Sequence, residues 1–286
     1  FYALLVPFYR GISSFSVDSI VHLLRLLSVL IGVFHIFLVY KLAKEITTRE
    51  DFALLSAAFV SFLPTHVVVS SVINNGPLAW VFVTASALFM VHSIKNNYNF
   101  TQACLGAMFF GLSVFTKYTA LSLIVAFLIF WLAFFKKSQS SIGKKFFLLV
   151  FPFFIFGPIF LRNLFIYGMF IPTQEVSITK LDISWLVYYV IHLFPGYWVQ
   201  EYGTAYVPDI RYFFFALFGV FSLVSFIGLA FFLLKRKARL FELIRSNKFF
   251  DNKMAVYYSI ILSGLFLNFA GLTWLNTRWL FPDARL

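Results

Sequence analysis

The chain alternates long apolar runs with short polar gaps. Roughly 20 apolar residues cross the hydrocarbon core of a bilayer, so each run is a candidate membrane-crossing helix. The predicted helices are 20–42, 52–72, 78–91, 103–115, 121–135, 146–167, 212–234 and 255–275. The third to fifth are short as bounded here and are expected to extend into their flanks. The pattern predicts an all-α, polytopic transmembrane bundle of about eight spans, forming a single domain over residues 1–286.

The polar gaps differ in charge, and every second gap is basic. Three gaps hold thirteen of the 23 Lys and Arg residues: Lys41, Lys44, Arg49, Lys136, Lys137, Lys144, Lys145, Lys235, Arg236, Lys237, Arg239, Arg245 and Lys248. Positive charge favours the cytoplasmic side. Segments 43–51, 92–102, 136–145 and 235–254 are therefore predicted inside, and 1–19, 73–77, 116–120, 168–211 and 276–286 outside. This topology predicts a multi-pass protein of the cell (inner) membrane.

The longest outer segment, 168–211, contains an apolar stretch of its own. Residues 183–194 are too few to span a bilayer and too apolar to lie in water. A helix in the outer interface, or one packed over a cavity, accounts for that length and polarity. The aromatic residues around it are explained by an interfacial belt or by rings over which a sugar or lipid lies.

Composition narrows the class of protein and of partner. With 61% hydrophobic and 12% charged residues, the chain is not an ordinary soluble domain. Its net charge of +12 is concentrated in gaps predicted to be cytoplasmic, so anionic membrane lipids are the expected partner and nucleic acid is not. Cys104 is the single cysteine, which rules out a disulfide or a thiolate metal cage within the chain.

The first and last residues do not resemble natural termini. The chain opens on Phe1 without a Met or a signal sequence, and it stops at Leu286 soon after an apolar stretch begins. We expect it to be the middle of a longer protein.

Four cations fall on the predicted outer side: Arg25, Lys117, Arg162 and Arg278. Together they suit a phosphate or pyrophosphate held near the headgroup level, because Arg grips such a group bidentately and Lys acts as a point charge. Taken singly, each is explained equally well by a side chain reaching lipid headgroups. Arg25 is the most informative, since a cation inside a span is costly and usually has a partner.

The other polar residues give weaker signals. The outer carboxylates form no paired-acid or metal-ligand motif, so no cofactor is predicted, although a divalent metal is not excluded. They are Asp18, Glu175, Asp182, Glu201, Asp209 and Asp283. His66, in the outer half of its predicted helix, is a candidate site residue. His22, His35 and His192 are explained equally well as packing residues.

Several segments resemble, in order, the GT-C glycosyltransferases, and most of all the bacterial relatives of dolichyl-phosphate-mannose protein mannosyltransferases. The first are residues 1–10, 23–30 and 39–43. The others are Pro64-Thr65-His66 with Ser70 and Ser71, residues 74–79, residues 111–119, residues 162–168, and residues 278–282. One departure is clear: relatives often carry an acidic residue after the asparagines, where this chain has Gly76-Pro77.

The resemblance implies a GT-C-like fold and an enzyme that transfers a sugar from a polyprenyl-phosphate donor on the extracytoplasmic face. The acceptor is a protein, lipid or glycan. Family members use a carboxylate in their first outer loop as catalytic base, which would lie upstream of Phe1. Lys117, Arg162 and Arg278, with Arg25, are expected to bind the donor phosphate. The residues expected to line the substrate are His66, Asn74, Asn75, Tyr118, Asn163 and Tyr167.

Two other functions fit the same pattern. A transporter or flippase for a lipid-linked or anionic solute also needs outer cations, but it would favour inverted repeats or broken helices, and no repeat is evident. A catalytically inert membrane scaffold is the third possibility. An acidic residue in a short loop upstream would favour sugar transfer, whereas further helices repeating the present pattern would favour transport.

Overall fold

In a computed structural model, the structure describes residues 2–170, 249–260 and 262–263. Within them the chain forms helices and turns and no strand. The α-helices are α1 (Tyr2–Ile12), α2 (Val17–Thr47), α3 (Glu50–Ser61), α4 (Pro64–Ser70), α5 (Gly76–Lys95), α6 (Phe100–Thr116), α7 (Ile124–Lys137) and α8 (Ile142–Tyr167). Short 3-10 segments occupy Tyr118–Leu123 and Phe249–Asp251. The all-α prediction is confirmed for this part of the chain.

Among the described residues, four helical stretches are long and apolar enough to cross a membrane: Val17–Thr47, Gly76–Lys95, Tyr118–Lys137 and Ile142–Tyr167. A fifth apolar helix, Phe100–Thr116, is shorter. The spans predicted as 78–91, 103–115 and 121–135 do extend into their flanks, as expected. Residues 212–234 and the loop 168–211 beyond residue 170 lie outside the described residues, and so does most of 255–275. The count of eight spans and the single domain over 1–286 therefore stay predictions.

The second predicted span, 52–72, is wrong as a continuous helix. The structure divides it into α3 and α4, with Phe62 as the C-cap of α3 at φ −93° and ψ 0°. Pro64 is the physical reason, because a proline disfavours helical backbone at the preceding residue and lacks an N–H to continue the ladder. Pro64 instead starts α4, at the position where a missing N–H costs nothing.

The core of the described residues is built on α5, which packs against both α2 and α6. Helix α6 in turn packs against α8. Small residues allow the close contacts. A Cβ on Gly106 would meet the Met90 backbone N at 3.3 Å, and the Ser86 hydroxyl donates to the Gly106 carbonyl at 2.8 Å. A Cβ on Gly111 would lie 3.1 Å from the Pro152 carbonyl of α8. Such approaches are typical of helix packing in membranes.

Ion pairs and hydrogen bonds gather the described basic segments at one end of the bundle. Glu45 pairs with Lys95 at 2.8 Å, and Lys253 donates to the Lys95 carbonyl at 3.2 Å. Lys137 pairs with Asp251. We call this end, made of residues 43–51, 92–102, 136–145 and 249–254, the basic end. The charge pattern of the gaps predicted this grouping.

Candidate functional site

The opposite end of the bundle is organised around a corner where α6 stops. Lys117 ends α6 in extended backbone, at φ −151° and ψ 120°, and its N–H donates to the Ser113 carbonyl at 2.9 Å. The chain then turns into the 3-10 segment that starts at Tyr118. We call Thr116, Lys117 and Tyr118 the corner, and this side of the bundle the corner end.

Asn75 fixes the start of α5 to the corner. Its side-chain Nδ2 donates to the Thr116 carbonyl at 2.9 Å, across 41 residues of sequence. The neighbouring Asn74 acts locally, since its Oδ1 accepts from the Gly76 N–H at 2.7 Å and so tightens the turn into the helix. The two asparagines predicted to line the substrate therefore lie beside the candidate cation Lys117.

Asn163 fixes α8 to the same corner. Only 1% of its surface is exposed, and its Nδ2 donates to the Tyr118 hydroxyl at 3.0 Å and to the Phe170 carbonyl at 3.2 Å. The Tyr118 ring also packs on Phe160 of α8, with centroids 5.7 Å apart. Arg162 follows α8 to the same level, where its Nη1 lies 3.5 Å from Asn163 Oδ1.

Electrostatically, Lys117 is the unusual member of this group. It is partly buried, whereas Arg162 is exposed. Burial lowers the pKa of the Lys117 ammonium below its ordinary value, because the charged form loses hydration. Among the described residues no carboxylate pairs with Lys117 or Arg162, so this part of the chain leaves the positive charge of the corner unneutralised. An anion is the ligand that such a place favours.

His66 lies in a different cluster, between α2, α4 and α5. It is buried, and its Nε2 is 3.1 Å from His35 Nδ1; His35 Nε2 is in turn 3.1 Å from Thr84 Oγ1. Both imidazoles stack near Trp80, with centroids 5.2 and 5.8 Å away. No contact links this cluster to the corner within the described residues. Its predicted role in lining the substrate stays a prediction.

Three other predicted site residues have no described contact with the corner. Arg25 is exposed on α2, and no described residue pairs with it. Tyr167 is 50% exposed at the end of α8. Arg278 lies outside the described residues. The structure thus brings together Asn74, Asn75, Lys117, Tyr118, Arg162 and Asn163.

Metal ligands do not cluster in the described part of the chain, where no three His, Cys, Asp or Glu side chains gather. The expectation of a site without a cofactor stays a prediction.

The sequence did not reveal the connecting contacts. Asn75 and Asn163 donate to the backbone carbonyls of Thr116 and Phe170, respectively. Every residue has a backbone carbonyl, so the sequence does not show which ones will accept these bonds. The pairing of His35 with His66 was also missed, because 31 residues separate them and neither belongs to a local motif. Polar side chains inside predicted spans were the only available signal.

Comparison with known proteins gives one match. Residues 15–161, just over half of the chain, match the family described as dolichyl-phosphate-mannose-protein mannosyltransferase. The matched region runs from the start of α2 nearly to the end of α8 and contains Asn74, Asn75 and the corner. No curated protein and no solved structure matches the chain.

Proposed function

Because the chain belongs to the dolichyl-phosphate-mannose-protein mannosyltransferase family, a family of membrane glycosyltransferases, we propose that it transfers a sugar from a polyprenyl-phosphate donor. Transfer takes place on the extracytoplasmic face of the inner membrane, and the corner binds the phosphate of the donor. The charge pattern supports the side, since the corner lies opposite the basic end, which the positive-inside rule assigns to the cytoplasm. The acceptor is a protein, lipid or glycan.

The observation that carries the proposal is the unneutralised cation at the corner. Lys117 is partly buried, no described carboxylate pairs with it, and neighbouring helices hold the corner through Asn75 and Asn163. Burying a cation is costly unless something compensates it. A phosphate bound at the corner would supply that compensation.

The chemistry of transfer explains why such a cation is useful. In the reaction, the bond between the sugar anomeric carbon and the phosphate oxygen breaks, and a bond to the acceptor oxygen forms. The acceptor proton passes to a base, and the lipid phosphate departs with one more negative charge. A fixed ammonium in a water-poor site stabilises that developing charge without having to reorganise. Lys117 fills this role, and Arg162 is available beside it for a second contact.

Substituting the two cations tests the proposal. In full-length protein reconstituted in lipid nanodiscs, Lys117→Ala should lower transfer from a polyprenyl-phosphate sugar by about 100-fold or more, as loss of one such donor does in other enzymes. Arg162→Ala should lower it by a smaller factor, because Arg162 is exposed. Lys41→Ala and Arg49→Ala are the matched controls, since both remove the same charge at or near the basic end.

Folding is measured in parallel by the thermal unfolding midpoint and by size-exclusion profile. If Lys117→Ala and Arg162→Ala keep full transfer, the corner does not bind the donor. If the two controls lose transfer equally, a general electrostatic effect explains the result and the proposal is again wrong.

A further inference from the structure

A second polar site lies at the basic end, far from the corner along the helices. There, a cavity of about 710 Å³ is bounded by the turn between α5 and α6, the loop between α7 and α8, and residues 250–253. Its size falls in the range of small-molecule sites. Its lining differs from most such sites in being rich in amides and hydroxyls, including Asn96, Asn97, Asn99, Ser138 and Gln139.

Lys253 gives this cavity its charge. Its Nζ donates to the Lys95 carbonyl at 3.2 Å and to Asn97 Oδ1 at 3.3 Å, and both partners are neutral. An ammonium has three donors, so one remains for a ligand. Lys137 also lines the cavity, but Asp251 neutralises it. The lining therefore carries a net positive charge that Lys253 supplies.

Two further lysines stand at the rim. Lys136 lies over the Phe250 ring at 4.7 Å from its centroid, and Lys144 lies over the Phe100 ring at 5.3 Å. Both rings line the cavity, so these cations are held close to it by cation–π contacts. Lys144 adds to the positive potential of the lining.

The walls of the cavity are fixed by contacts between distant parts of the chain. Tyr98 is 7% exposed, and its hydroxyl donates to the Phe250 carbonyl at 3.5 Å. Burial raises the pKa of Tyr98 to about 12, so this hydroxyl stays protonated as a donor. The ion pair between Lys137 and Asp251 ties α7 to the same segment. A site whose walls are held in this way is partly preorganised for a ligand.

We propose that this cavity binds a phosphate ester. Phosphate oxygens accept several hydrogen bonds and carry negative charge, which matches amide donors around the Lys253 ammonium. The cavity lies where α5 and α7 end and α6 and α8 begin, so it is at the level of lipid headgroups. The headgroup of an anionic phospholipid and a soluble phosphate ester are the two sources of this chemistry. The site does not depend on the function proposed for the corner.

Lipid binding to the full-length protein separates these sources. Native mass spectrometry of detergent-purified protein, titrated with phosphatidylglycerol, should detect one lipid that binds more tightly than phosphatidylcholine. Lys253→Gln should weaken it about fivefold, since a lysine near an anionic surface contributes about 1 kcal/mol. Lys253→Arg should restore most of the affinity. Lys41→Gln, which removes a lysine of α2 near this end that does not line the cavity, should leave it unchanged.

Inorganic phosphate is the probe for a soluble ligand. If millimolar phosphate binds and Lys253→Gln weakens it, while phosphatidylglycerol shows no preference, the site is one for soluble phosphate esters and the chemistry stands. If Lys41→Gln and Lys253→Gln weaken binding equally, the attraction is spread over the basic end and the proposal is wrong. Binding of neither probe would overturn it as well.

Discussion

In the described part of the chain, carboxylates pair with cations at the basic end but not at the corner end. Every ion pair in the described part of the chain belongs to the basic end, where Glu45 alone serves both Lys95 and His92. At the corner end, Lys117 and Arg162 are accompanied by amides and a phenol. Neutral groups position those cations without cancelling their charge.

The difference separates two uses of positive charge. At the basic end, many lysines mark the side of the membrane that the positive-inside rule assigns to the cytoplasm, and carboxylates of the fold neutralise several of them. At the corner, the residues on either side of the partly buried Lys117 are held by hydrogen bonds, because Asn75 donates to the Thr116 carbonyl and Asn163 donates to the Tyr118 hydroxyl. If the two ends were compared by the number of cations alone, the basic end would be taken as the better anion-binding site. The presence or absence of a carboxylate partner gives a different order, and Lys253 is distinguished from the other lysines of the basic end by lining the cavity without such a partner.

Removing the amide that holds the corner should have the largest effect. Asn163→Leu leaves the Tyr118 hydroxyl and the Phe170 carbonyl without their partner in a buried position. We expect a loss of about 2 kcal/mol in the free energy of unfolding, as for other buried hydrogen-bonding groups, together with a fall in the rate of transfer. Thermal and denaturant unfolding in detergent measure the first effect, and donor turnover measures the second.

Gln102→Leu is the matched change at the basic end. Its amide makes one exposed hydrogen bond, from Asn96 Nδ2 at 3.0 Å. We expect the free energy of unfolding to fall by less than about 0.5 kcal/mol and the rate of transfer to stay unchanged. Equal losses in the two variants would mean that the corner is no more firmly held than the surface of the other end.

The pH dependence of transfer should report the charge on Lys117. Only the ammonium form attracts a phosphate, so donor binding is present below the pKa of Lys117 and is lost as pH rises through it. Burial lowers that pKa from the ordinary 10.5. The fall of kcat/KM on the alkaline side, the alkaline limb of its pH profile, should therefore begin at a lower pH than it would for an exposed lysine. Above it, kcat/KM for the donor should fall about tenfold per pH unit.

Lys117→Arg sharpens this test, because a guanidinium keeps its charge to a pH above about 12. The limb should disappear in that variant even if its activity at neutral pH is reduced. A limb at the same pH in both proteins would assign the titration to another group.

Breaking an ion pair of the basic end should also have only a small effect. Glu45→Gln removes the carboxylate from Lys95 and His92, and all three side chains are partly or largely exposed. We expect a loss of about 1 kcal/mol or less in the free energy of unfolding, decreasing further at high salt, with transfer intact. A loss of transfer in this variant would contradict the separation of roles between the two ends.

Much of the fold follows from apolar run length and cation position. The helices α2 and α8 extend beyond their predicted bounds but keep their place, and α8 continues through Pro152 and Pro158. The run 52–72 behaves differently. It contains Pro64, and run length alone predicted one span where the structure has two helices that meet at this proline.

The sequence predicted which residues belong to the candidate site, but it did not predict the contacts that bring them together. Lys117, Asn75 and Asn163 were identifiable as polar residues at the ends of apolar runs. The hydrogen bonds from Asn75 to Thr116 and from Asn163 to Tyr118 cross 41 and 45 residues of sequence, and such contacts depend on how the helices pack. The contact between His66 and His35 shows why the geometry could not be predicted. In the sequence, His35 looks like any histidine that packs inside a helical bundle.

The interruption between α3 and α4 has a consequence for what surrounds the protein. At 1.5 Å per residue, the twelve residues of α3 carry the chain about 18 Å from the basic end, well inside a hydrocarbon layer about 30 Å thick. Acyl chains cannot form hydrogen bonds with backbone N–H and C=O groups that have no partner in a helix. Irregular backbone therefore does not occur exposed to lipid. The turn between α3 and α4 therefore needs protein or water, and not acyl chains, beside its peptide groups.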